Sequence, residues 1–81
     1  MGHFALGNAR HATGDVAGAL RAFKDAAQAD PDLAVAWLNL GLLHRERGNT
    51  SEAREALEQA ASQPGPWQDQ ARVALADLRT R

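Results

Sequence analysis

Trp37-Leu38-Asn39-Leu40-Gly41-Leu42-Leu43-His44, followed by Gly48, Ala53, Leu57 and Ala60, is the stretch that decides the fold. Large apolar residues alternate in it with glycine and alanine, and the small residues recur at helical spacing. Small side chains at those intervals let two helix backbones approach closely. The stretch therefore reads as a helix, a tight turn at Gly48 and a second helix packed on the first. Sliding the chain against itself brings Leu6 onto Leu40, Gly7 onto Gly41, Gly14 onto Gly48, Ala19 onto Ala53, Ala22 onto Ala56, Ala26 onto Ala60 and Ala27 onto Ala61. Phe23 falls on Leu57 in the same frame. These identities sit where helix packing needs them, so the helix-turn-helix unit occurs twice.

The punctuation of the chain supports this division. The first helix is expected over Phe4–Thr13 and is ended by Gly14, because a helix C-terminus commonly needs the left-handed conformation that glycine adopts freely. Asp15 then caps a helix from Val16 to about Ala29. Asp30-Pro31 is expected to start the third helix, with Asp30 as cap and Pro31 at the first helical position. Gly48 stops that helix near Arg47, and Asn49, with Glu52 three residues on, approximates a capping box for the fourth. Ser62-Gln63-Pro64-Gly65-Pro66 breaks the fourth helix, and a fifth runs from Trp67 to Arg79. In the repeat frame Ala71, Ala74, Leu75 and Leu78 take the places of Trp37, Leu40, Gly41 and His44. The fifth helix should thus dock as a third unit would begin. Its Gln68, Asp69, Arg72, Asp77 and Arg79 then solvate the end of the array.

Composition limits what such a chain can do. Its 81 residues hold one small domain without a cysteine to staple it, so stability rests on dense helix packing. The formal net charge is −1, with both signs interspersed. Nucleic-acid and anionic-membrane surfaces concentrate positive charge, so neither is an expected partner. No apolar run approaches the roughly 18 to 20 residues of a membrane span, and the N-terminus lacks the apolar core of a secretory signal. A cytoplasmic protein, or a piece of a longer one, fits these features. Lys24 is the only lysine among abundant alanine and arginine, which hints at a GC-rich bacterial genome.

The spacing Trp37-x2-Leu40-Gly41-x2-His44, with Ala53-x3-Leu57 behind it, resembles the tetratricopeptide repeat, whose pattern is W-x2-L-G-x2-Y, then A-x3-F and a closing P. The resemblance covers essentially the whole chain and is sharper in the second unit than in the first. His3, Arg10 and Gly65 depart from it, standing where the family prefers a large apolar residue, tyrosine and proline. It implies an all-α solenoid: one repeat over residues 1–33, a second over 34–67, and a capping helix over 68–81. Five antiparallel helices would form a right-handed superhelical arc.

The resemblance also implies a use. Tetratricopeptide repeats are mostly non-catalytic protein-interaction or scaffold modules, and the first helix of each unit lines their concave surface. Mapped here, the groove lining is Phe4, Asn8 and His11 from the first unit, Val35, Leu38, Asn39, Leu42 and Arg45 from the second, and Arg72 and Val73 from the fifth helix. Ala5, Ala12, Glu46, Asp69 and Ala76 lie beside them. None of these is expected to hold a helix pair together. Phe4, Leu38, Leu42 and Val73 form an apolar strip flanked by Asn8 and Asn39, suited to an extended peptide or an amphipathic helix. The branch of the family that grips a C-terminal carboxylate matches at Asn8 and Asn39. However, Phe4, Asp69 and Val73 stand where that branch has basic residues, and two amides do not hold a carboxylate in such a groove.

Enzymatic and metal-dependent readings find little support, and no cofactor is expected. His3, His11 and His44 are scattered without ligand spacing, and Ser51 and Ser62 lie at opposite ends of one helix. The rival reading is self-assembly. Two units and a cap fall short of the three that such arrays usually need, so a homodimer through the groove or the N-terminal edge, or a swap of helices between two chains, would bury the uncovered surface.

Overall fold

The computed structural model describes Ala12 and residues 14–79. The helix expected over Phe4–Thr13 falls almost wholly outside those residues. The described secondary structure is helical: α1 (Val16–Ala29), α2 (Ala34–Glu46), α3 (Thr50–Ala61) and α4 (Gln68–Arg79). Successive helices pack on one another, α2 most extensively on α3, and α2 also touches α4, whereas α1 and α3 make no extended contact.

Each boundary has a local cause. Asp15 caps α1 as expected, its Oδ1 accepting from the Gly18 N–H at 3.0 Å. Gly48 has φ +77° immediately after α2, the left-handed conformation that ends a helix without steric cost to glycine. The start of α2 departs from expectation. Asp30 ends α1, its N–H bonded to the Ala26 carbonyl, and Pro31-Asp32 form a turn closed by the Leu33 N–H on the Asp30 carbonyl. Helix α2 begins at Ala34, after Leu33, which offers no side-chain cap. The Pro31 carbonyl is taken instead by two side chains, Trp37 Nε1 at 3.0 Å and Gln63 Nε2 at 2.7 Å. Asn49 precedes α3, but its side chain makes no capping bond. Its Nδ2 is turned back onto His44 Nδ1 at 3.3 Å.

The core is built from alanine and leucine in three linked clusters. Ala19 and Phe23 of α1 meet Leu40 and Leu43 of α2 and Ala56 of α3. Leu38 of α2 meets Leu57 and Ala60 of α3 and Ala71 and Ala74 of α4. Ala26, Ala27 and Ala36 close the end where α1 turns into α2. Helix α2 is apolar on nearly every side because it is embraced by the other three. Gly41 lies at its tightest contact. A Cβ built there would stand 2.6 Å from Leu57 Cγ, 2.8 Å from Leu57 Cδ2 and 3.2 Å from the Ala53 carbonyl oxygen.

Trp37 is only half-buried, although it reaches all three clusters. The largest fully buried side chains are Leu38 and Leu57. Among the described residues no helix is long and apolar enough to cross a membrane, and no group of three metal-ligating side chains comes together.

Candidate functional site

Helix periodicity separates two surfaces of α2. Residues 35, 38, 39, 42 and 45 project to one side, and residues 37, 40 and 44 to the other. The first side carries the expected binding strip. Phe4, Asn8 and His11, its members from the first unit, lie outside the described residues.

Leu38 corrects that expectation. It is 1% exposed and belongs to the cluster it forms with Leu57, Ala60, Ala71 and Ala74. Sequence spacing placed it on the groove side, but docking of α4 against α2 and α3 covers that position. Leu38 therefore holds helices together and cannot meet a partner. Leu42 packs at the margin of the same cluster and is half-buried, as are Val35 and Asn39. Arg45 is partly committed as well: its Nη1 donates to Asp77 Oδ2 of α4 at 3.3 Å, a half-exposed ion pair joining the two helices. On α4 the strip is open. Asp69, Arg72, Val73 and Ala76 are exposed on one face, and Val73, at 70%, is far more exposed than a valine in a packed helix.

The opposite side of α2 faces a groove that the sequence reading did not anticipate. Its floor is Trp37, Leu40 and His44 of α2, and its walls are α1 and α3. Leu20, Arg21, Lys24 and Gln28 line the α1 wall, and Glu52, Glu55 and Ala56 the α3 wall. The cavity measures about 440 Å³ and exists because the two walls make no extended contact with each other. Trp37, Glu55, Glu58 and Gln59 line a shallower depression beyond it. The available signal was the spacing of like charges, Arg21 to Lys24 and Glu52 to Glu55 to Glu58, each at helical intervals of three residues.

His44 is the titratable group most affected by this setting. Burial against the groove floor lowers its pKa from 6.5, Glu52 opposes the shift, and Arg47 and Lys24 reinforce it. The Asn49 amide donates to Nδ1, which fits a neutral imidazole carrying its proton on Nε2. The groove thus sets an apolar floor between a wall carrying Arg21 and Lys24 and a wall carrying Glu52 and Glu55.

The family model described as Tetratricopeptide repeat matches residues 4–71. No curated protein matches the chain.

Proposed function

Since the chain belongs to the tetratricopeptide repeat family, whose repeats generally mediate protein–protein interaction, we propose that it is a non-catalytic module that holds a peptide or helix of a partner protein in the concave groove of a short solenoid. In this reading residues 1–33 and 34–67 are the two repeats and residues 68–81 the capping helix, five helices in all. The groove is lined by Phe4, Asn8 and His11, by Val35, Asn39, Leu42 and the free edge of Arg45, and by Arg72 and Val73. Leu38 supports it from beneath.

The observation that carries the proposal is Val73. An aliphatic side chain 70% exposed on α4 belongs to none of the core clusters, and in this reading it lies on the groove face expected from the family pattern. Leu42 extends the apolar surface and Asn39 adds a group able to bond a peptide backbone.

Selection from a displayed peptide library tests the reading. Ligands recovered on the wild-type protein should lose at least tenfold in affinity on Val73→Asp, a substitution at an exposed position that leaves helicity intact. Binding indifferent to Val73→Asp would refute the groove. Light scattering at rising protein concentration distinguishes the rival occupant: a dimer that Val73→Asp dissociates would place a second copy in the groove.

A further inference from the structure

The groove between α1 and α3 is a second docking surface, of a different chemical kind from the strip on the other side of α2. Arg21 and Lys24 stand on one wall, Glu52 and Glu55 on the other. All four are exposed, and none of their side chains makes a hydrogen bond or ion pair among the described residues. Between them Trp37 and Leu40 form an apolar floor. The cavity of about 440 Å³ is within the range of about 300–1,000 Å³ typical of ligand pockets.

We propose that this groove docks an amphipathic helix of a partner protein, with apolar side chains on its centre line, carboxylates along one flank and guanidinium or ammonium groups along the other. A partner flanked by one sign only would be attracted to one wall and repelled by the other, and like-charge contacts at an interface are strongly unfavourable. A second copy of this chain could match the charges about a two-fold axis along the groove. Its shape does not fit, because two facing grooves would set ridge on ridge and leave both Trp37 rings uncovered. A single helix, about 10 Å across with its side chains, presents the ridge that the groove lacks.

The probe is an 18-residue capped helical peptide with a leucine stripe, glutamate along one flank and arginine along the other. Two control peptides carry glutamate on both flanks or arginine on both. A helix can enter in either direction, so uniform flanks are the informative controls rather than exchanged ones. Each peptide is titrated into the isotopically labelled full chain, following backbone amides and the Trp37 indole N–H by NMR. The mixed-charge peptide should shift Lys24, Glu52 and the Trp37 indole, and bind at least tenfold more tightly than either control. Arg21→Glu with Lys24→Glu should transfer the preference to the all-arginine peptide, while Val73→Asp leaves all three affinities unchanged. Equal affinity of the three peptides, no shift at millimolar peptide, or shifts confined to the Leu42 and Val73 face would overturn the proposal. Shifts in the groove caused by raising protein concentration alone would overturn it in favour of a second copy.

Discussion

Replacing Gly41 by alanine sets two known effects against each other, and the structure says which prevails. In an exposed helix interior the change favours folding by about 1 kcal/mol, because alanine loses less backbone entropy than glycine. At Gly41 the new methyl would lie 2.6 Å and 2.8 Å from two carbons of Leu57, where carbon atoms rest comfortably at about 3.5–4.0 Å. The shortfall is about 1 Å. Leu57 cannot yield it by swinging outward, since it is 0% exposed and locked among Leu38, Ala60, Ala71 and Ala74. The Ala53 carbonyl at 3.2 Å also blocks a slide along α3. Overpacking of this kind costs about 1–3 kcal/mol, and a rigid neighbour puts it at the upper end. The net expectation is a loss of about 1–2 kcal/mol, or roughly 4–16 °C in Tm for a domain of this size. Urea unfolding of Gly41→Ala, Leu57→Ala and the double variant measures it. Leu57→Ala alone should cost about 2–5 kcal/mol. Once that side chain is cut back the alanine at 41 should no longer be harmful, giving a coupling of about 1–3 kcal/mol. Gly41→Ala more stable than wild type, with additive effects in the double variant, would refute the close approach of α2 and α3.

Further outcomes follow from the same contacts. Leu38→Ala should destabilise by about 2–5 kcal/mol, whereas Arg45→Ala, which breaks only a half-exposed ion pair, should cost about 0–1 kcal/mol; denaturant midpoints separate the two. Trp37→Phe keeps most of the ring but removes the donor to the Pro31 carbonyl, a loss of about 1 kcal/mol readable by calorimetry. His44 has a lowered pKa in the folded chain, so the unfolded chain takes up its proton first as pH falls. Its contribution is complete above the unfolded value of 6.5, declines as pH falls through 6.5 towards the lower folded value, and is gone below that. Urea midpoints across this window should show the decline in wild type, and the His44 share of it should vanish in His44→Phe. An identical slope in both would show that protonation of His44 is not coupled to folding.

Much of the architecture was legible in the sequence because it rests on local chemistry. Glycine at 48, Asp15 before α1, and the broken segment at residues 62–66 act within a turn or two of their own position, and the structure places helix ends at each. Gly41 was also legible, since the repeat frame pairs it with small residues at helix-packing intervals. The start of α2 was misread because two capping residues, Asp30 and Pro31, suggested a local answer. The Pro31 carbonyl is instead claimed by Trp37 and by Gln63, a residue that only folding brings near. Asn49 was diverted in the same way, its amide drawn to His44 rather than to the first turn of α3.

Alone, the sequence determined the helical periodicity, the repeat and the placement of small residues, since these follow from spacing along one chain. The fate of particular side chains was decided by tertiary structure. Periodicity assigns Leu38 and Leu42 to the same face of α2. Only the docking of α4 buries the first and leaves the second half-open. Likewise Arg21, Lys24, Glu52 and Glu55 read as ordinary solvated charges until α1 and α3 are seen to stand apart over Trp37. Burial and charge juxtaposition depend on distances between helices, which no spacing within a single helix can specify.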